Sequence, residues 1–254
     1  IFRIGGVQAI AAMAYGTNSI PKVDKIVGPG NIYVTAAKKA IYSDCGIDFL
    51  AGPSEVMIIA DKSADYELVA IDLLAQLEHD VNAKAFLLTN SKKLISKIKS
   101  EVQKQLLDLT TKNIIKKSIK NLKIVLVKKI ENAITIANEI APEHLELQVK
   151  KPEKYIKKLR NYGSLFLGDY SAEAFGDYCS GTNHVLPTNG GARFTSGLSV
   201  RDFIKLQTYQ KITPMGVKKL APTALKLSET EGLDAHNKSI RIRLNNKYLN
   251  QNPN

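Results

Sequence analysis

The chain has 254 residues, 44% apolar and 24% charged, enough to bury a proper core as one large domain or a few small ones. Its net charge is +12, but the lysines of "KKLISKIKSEVQKQ" and "KKSIKNLKIVLVKK" fall on the outward sides of helix-like and strand-like patterns with few arginines and no interleaved aromatics, so they read as solvated faces and not as a nucleic-acid surface. Apolar runs such as "VMIIA" are too short to span a bilayer, and Cys45 and Cys179 form no CxxC pair, which excludes a disulfide framework and fits a reducing cytoplasm.

The chain opens on Ile1 within "FRIGGVQAIAAMAYG", a helical pattern already under way, which suggests a fragment of a longer polypeptide. A short strand ("VDKIV"), a Gly/Pro loop ("GPGN") and a helix ("IYVTAAKKAIYSD") follow in the order used by nucleotide-binding α/β units. The loop lacks the third glycine of the dinucleotide fingerprint, and most Gly-Pro turns are only turns.

After "DFLAGPSE" and "VMIIAD" come a helix over about 64–80, the strand "AKAFLLT", the helix "SKKLISKIKSEVQKQLLDL" and the strand "KIVLV". A helix near 131–140 leads to "APEHLELQV", a helix near 152–161 follows, and "GSLFLGD" closes the alternation of strands with helices. Glycines then punctuate a stretch without sustained period, whose aromatic content argues for a functional loop over disorder. From about Ser199 the pattern turns helical again.

Candidate chemistry starts from the four histidines, His79, His144, His184 and His236, each beside carboxylates or amides. Helical spacing in "IDLLAQLEHD" lines up Val69, Asp72, Gln76 and His79. His79 is an ordinary zinc ligand and Gln76 an unusual one, so Asp72 or Glu78 would be chosen first, and a hydrogen-bonded helix end competes with any ligand role. Asp72, one turn before Gln76, is a candidate for orienting a ligand side chain. "FGDYCSGTNH" supplies Asp177 and His184, either as ligands or as loop-stapling hydrogen bonds. In "IAPEHLEL" the adjacent Glu143 and His144 would leave a strand on opposite faces, so both can reach one cleft only if Ala141 and Pro142 turn the chain and the pair precedes the strand proper. His236, with Glu231 before it, reads most simply as a surface residue.

Taken in order, "GGVQAIAAMAYGT", "KIVGPGNIYVTAAK", "AGPSE", "LLAQLEHD", "APEHLEL", "GDYCSGTNHVLPT" and "EGLDAH" resemble the histidinol dehydrogenase family over the whole chain, without the family's N-terminal portion. The resemblance implies a cytoplasmic, zinc-dependent oxidoreductase that uses NAD to oxidise L-histidinol to L-histidinaldehyde and then to L-histidine, the last steps of histidine biosynthesis. It implies an α/β fold of two incomplete Rossmann-like, three-layer domains. Residues 1–52 would end an NAD-contacting domain, 53–198 would form the domain carrying zinc and catalytic residues, and 199–254 would be a helical tail swapped onto the partner of a homodimer. One zinc per subunit would be held by Gln76, His79 and Asp177, with His236 arriving from the partner's tail.

The same resemblance makes His144 the general base and Glu143 its acidic partner. It has Ser54, His144, His184 and Glu231 contact the substrate along with the zinc ligands, and Gln8 and Asn31 contact NAD. Two rivals remain open on the sequence. A zinc hydrolase could use the same ligand set with Glu143 as base for a metal-bound water, and a basic nucleic-acid-binding module could rest on the charge alone.

Overall fold

Residues 1–245 are described in the computed structural model. The stretch before residue 55 places α1 (Gly6–Tyr15) and α2 (Ile32–Ala40) beside a short parallel pairing of β1 (Lys25–Ile26) with β2 (Gly46–Ile47). Ile10, Ala14, Ile26, Ile41, Cys45 and Ile47 give this part a core of its own. The "GPGN" turn is fastened from within: Asp48 accepts from the Gly28 N–H at 2.8 Å and pairs with Lys38, whose Nζ donates to the Gly28 carbonyl at 3.0 Å. Both charges are shut off from water, so these bonds replace the hydration they lose.

From residue 55 the chain alternates strand with helix. β3 (Glu55–Ala60), α3 (Tyr66–Leu77), β4 (Lys84–Thr89), α4 (Lys92–Asp108), α5 (Lys112–Ser118), β5 (Leu122–Leu126), α6 (Ile130–Ile140), β6 (His144–Gln148) and β7 (Ser164–Leu167) follow in order. Asp65 starts α3 by accepting from the Glu67 N–H at 2.8 Å, and Ser91 starts α4 by accepting from Leu94 at 3.2 Å. The strands lie in the order β5-β4-β3-β6-β7, all parallel. Parallel neighbours need crossovers, and the helices provide them on both faces. Val56, Ile58 and Leu87 pack beneath α3, α4 and α5, while Met57, Ile59, Leu145 and Leu147 pack against α6. This is the three-layer, Rossmann-like arrangement expected from the sequence.

β6 lies in register with β3, Val56 opposite His144, Ile58 opposite Glu146 and Ala60 opposite Gln148. The two-residue period therefore sends His144, Glu146 and Gln148 to the α3 face and both leucines to the α6 face, with all five buried. The chain enters β6 through Ala141, which caps α6 at φ 55. The left-handed region costs a non-glycine residue about 1–2 kcal/mol, so packing must hold this turn. The expected turn is present, yet His144 is already the first paired residue of the strand, and only Glu143 precedes it.

Three element readings change. The helix expected near 152–161 is a 3-10 turn, Pro152–Lys158. The lysine-rich pattern gives no sign of α5, which owes its place to Ile115 buried against α3 and α4. The helical pattern from Ser199 holds only a 3-10 turn, Val200–Phe203, before the long helix. That helix starts at Pro214, where Thr213 accepts from the Gly216 N–H at 3.1 Å and proline at the first position loses no bond.

A short α7 (Glu173–Tyr178) follows β7, and α8 (Pro214–Thr230) and α9 (Asp234–Leu244) follow the glycine-punctuated loop. The chain forms two compact units, Ile1–Ile204 and the segment from Lys205 onward. Residues 246–254, assigned to the tail on sequence, lie outside the described residues. No helix among the described residues is long and apolar enough to cross a membrane.

Gly163 shows how tightly the start of β6 is gripped. Its N–H donates to the Pro142 carbonyl at 3.0 Å, and a Cβ there would stand 2.5 Å from the Glu143 carbonyl oxygen. Gly163→Ala is expected to destabilise the chain by about 1–3 kcal/mol, read as a lower midpoint in urea unfolding.

Candidate functional site

Ligands of open α/β sheets usually sit beyond the carboxyl ends of the strands, where the strand order reverses. The reversal here falls between β3 and β6, but the residues singled out on sequence gather at the opposite, amino ends of those strands. Ser54 immediately precedes β3, Glu143 precedes β6 and His144 opens it, Gln76 lies in the last turn of α3, and His79 lies just past its C-cap. Asp177 comes from α7, which can lie close to the sheet because Gly176 has no Cβ; one built there would stand 2.6 Å from the Phe166 ring. Ser54, His79, Glu143, His144, Asp177 and His184 border one cavity of about 530 Å³, together with Pro29 and Gly30 of the "GPGN" turn.

His144 is 3% exposed, and neither ring nitrogen has a hydrogen-bond partner among the described residues. Its Nδ1 lies 3.3 Å from Glu173 Oε1 and 3.8 Å from Glu143 Oε2, and its Nε2 lies 3.7 Å from Asp177 Oδ1. Burial holds its pKa down to about 4, so the ring is neutral at ordinary pH. Glu143 is not turned to His144 alone: its Oε2 accepts from the Glu55 N–H at 2.9 Å. Burial pushes Glu143 up to about 8 against that bond. Glu55 accepts in turn from the Asn189 N–H at 3.0 Å, which ties the first residue of β3 to the loop after α7.

The carboxylate that meets most of the site is Glu173, which sequence reasoning missed. One oxygen of Glu173, one of Asp177 and one ring nitrogen of His79 offer three ligand atoms within 4.8 Å of one another. With its amide nitrogen turned toward Glu173, Gln76 donates to Oε1 at 3.0 Å and to Oε2 at 3.2 Å, whereas the opposite orientation would set oxygen against oxygen. The available signal was the spacing of four between Glu173 and Asp177, which puts both on one side of a helix. A helix as short as α7 shows no sustained period, so the signal was easy to lose.

Asp72 does not orient Gln76. Its Oδ2 accepts from Gln148 Nε2 at 2.9 Å, and that nitrogen also donates to Glu146 Oε2 at 2.8 Å. Asp72 points to β6 because the polar face of that strand lies under α3, and the neighbour of Gln76 is Glu173. Glu146 is pushed up to about 8 by burial and by Asp72, and burial together with Glu146, Asp177 and Glu143 raises Glu173 well above the usual range.

Other sequence candidates lie elsewhere. Gln8 is exposed near the start of α1 and does not border the cavity. Asn31 is exposed, and its Oδ1 is engaged in capping α2 through the Tyr33 and Val34 N–H groups at 3.1 Å. Glu231, the C-cap of α8, and His236, in the first turn of α9, are exposed on the second unit.

The donor set suits a borderline cation such as zinc. An imidazole and two carboxylates converge, a neutral amide oxygen is left over once Gln76 commits its nitrogen, and Glu173 and Asp177 are both raised, chiefly by burial.

A family model described as histidinol dehydrogenase matches residues 1–244. A histidinol dehydrogenase of Caldanaerobacter subterraneus is 50% identical over 247 residues, which cover 97% of this chain and 57% of that protein. The corresponding protein of Methanothermobacter thermautotrophicus is 52% identical, with 96% and 58% covered. The crystal structure of the enzyme from Elizabethkingia anophelis superposes with a TM-score of 0.91 at 45% identity, over 99% of this chain and 58% of that one. The chain thus spans a little over half the length of the relatives it matches.

Raised carboxyl pKa values have a fixed sign in stability. Folded Glu143 and Glu146 keep protons up to about pH 8 that the unfolded chain has released above 4.5, so their stabilisation is complete below 4.5 and is lost as pH rises through 8. His144, lowered from 6.5 to about 4, works oppositely but only below 6.5. Between pH 6.5 and 8 the unfolding free energy of the metal-free chain is expected to fall by about 1–3 kcal/mol, and Glu146→Gln should flatten that slope in urea titrations.

Proposed function

The chain belongs to the histidinol dehydrogenase family, and we propose that it carries the zinc-binding and acid/base part of an enzyme that oxidises L-histidinol through L-histidinaldehyde to L-histidine with NAD. The observation that carries this reading is His144: a buried, neutral imidazole whose nitrogens have no hydrogen-bond partner among the described residues, set between carboxylates and the His79/Asp177 ligand atoms at the wall of a cavity. A hydrolytic site would need no such base beside the metal ligands, since a metal-bound water could be served by one carboxylate.

Alcohol oxidation removes a proton from the hydroxyl as a hydride leaves the same carbon. Neutral His144 can take that proton at Nε2, the nitrogen on the Asp177 side. The second oxidation needs water added to the aldehyde, and a carboxyl group near pKa 8, as Glu143 has, can both accept and return a proton close to neutral pH. Gln76, His79 and Asp177, with the partner subunit's His236, would hold zinc, one per subunit; when bound, zinc supplies a fixed charge for the amine and imidazole nitrogens of the substrate, and NAD supplies the hydride acceptor.

Ser54 and His184 border the cavity and would contact the substrate. Glu231 would do so from the tail of the partner in a homodimer. Gln8 and Asn31 would meet NAD, Asn31 through its amide nitrogen, because its oxygen caps α2. Two unpaired cysteines are compatible with a cytoplasmic enzyme.

In a polypeptide of the relatives' full length, His144→Gln should slow NADH formation from histidinol by about 10²–10⁴-fold. Glu143→Gln should slow oxidation of supplied aldehyde more than oxidation of the alcohol. Ester or amide hydrolysis without NAD, with no NADH from histidinol, would overturn the assignment.

A further inference from the structure

We infer that Glu173 is a positioning residue that sets two others at once: it takes the Gln76 amide nitrogen, which leaves the oxygen as the free end of that amide, and it receives the Nδ1 proton of His144 so that Nε2 is left as the base. The inference rests on the function proposed above and gives Glu173, whose oxygen also lies among the converging ligand atoms, a positioning role that the zinc ligands and acid/base pair named there do not include.

An amide is a poor choice of metal ligand unless something decides which end it presents, because oxygen can ligate and the NH₂ group cannot. Glu173 decides it. Both its oxygens accept from Gln76 nitrogen, at 3.0 and 3.2 Å, in the orientation that avoids oxygen against oxygen. The Gln76 side chain is fully buried at the end of α3, so no water competes for the nitrogen.

The imidazole has the same problem, since a neutral ring carries its proton on one nitrogen only. Two carboxylates approach Nδ1. Glu143 Oε2 is the more distant at 3.8 Å and already accepts from the Glu55 N–H, whereas Glu173 Oε1 is 3.3 Å away. At 3.3 Å the pair is within hydrogen-bond reach but is not aligned for the bond in this structure, and such bonds commonly tighten only when the site is filled. Glu173 itself has little freedom to turn elsewhere: it is 7% exposed, and its N–H is anchored to Glu146 Oε1 at 3.2 Å. The carboxylate beside His144 in sequence is thus not the one placed to fix its tautomer.

The test uses full-length protein with ¹⁵N-labelled histidine, in Glu173→Gln and Glu173→Asp variants, with zinc alone as the metal probe. Nitrogen shifts of His144 report the tautomer directly, and competition with a chelator reports zinc affinity. Glu173→Gln is expected to move the His144 proton from Nδ1 toward Nε2 and to weaken zinc binding by about 10–100-fold. Glu173→Asp, which keeps the charge and is the variant to read if the amide fails to fold, should restore the Nδ1 tautomer and part of the affinity. An unchanged tautomer with zinc affinity within twofold of the parent would overturn the inference. A tautomer that shifts in a protein that binds no zinc and forms no NADH from histidinol would support Glu173 as the setter of His144 and overturn the proposed function instead.

Discussion

The amino edge of the sheet is organised by one constraint, the burial of three polar side chains on a single face of β6. A parallel strand covered on both sides is ordinarily apolar throughout, and here only the α6 face obeys, through Leu145 and Leu147. On the other face His144, Glu146 and Gln148 must find partners inside the protein, because an unpaired buried polar group costs about 1–3 kcal/mol. Asp72 from α3 and the Glu173 N–H from α7 meet Gln148 and Glu146. Among the described residues Gln148 Oε1 and both nitrogens of His144 stay unmet, and His144 is the one at the end of the row where the cavity opens. Because it borders the cavity, the orphaned imidazole is the buried group of this row that a bound molecule could reach.

Close approach of backbone segments makes that arrangement possible. Gly163 lets the chain before β7 lie against the Glu143 carbonyl, Gly176 lets α7 sit on Phe166, and Gly52 leaves room for the Asn189 side chain. Side chains at these positions would push apart the segments that carry Ser54, Glu143 and Asp177. Core packing then holds the backbone rigid, since strands β3 and β6 are wholly buried between two helical layers. Side chains mounted this way keep their spacing.

Charge gives the site its second property. Glu143, Glu146, Glu173, Asp72 and Asp177 are all raised, chiefly by burial. Lysines are abundant in the chain, yet the lysine among these loops, Lys84, faces Glu55 and Asn189 instead of the imidazole. A cation held by His79, Asp177 and Gln76 would restore the ionised forms, so metal binding and proton placement belong to one electrostatic unit.

The alternation of strands with helices, the parallel sheet and the turn at Ala141 were legible in the sequence, because period, capping residues and turn residues act within a few neighbours. The motifs also singled out Ser54, His79, Glu143, His144, Asp177 and His184, which border one cavity in the structure. The sequence could not show that Glu173 outranks Asp72 as the neighbour of Gln76, or that Glu143 divides its attention between His144 and the Glu55 N–H. It could not show that the site lies at the amino edge of the sheet. Those outcomes depend on which elements are stacked on which face, and contacts such as Gln76 with Glu173 join residues far apart in the chain. Local chemistry fixed the parts; the register of β6 against β3 and the seating of α7 decided which parts meet.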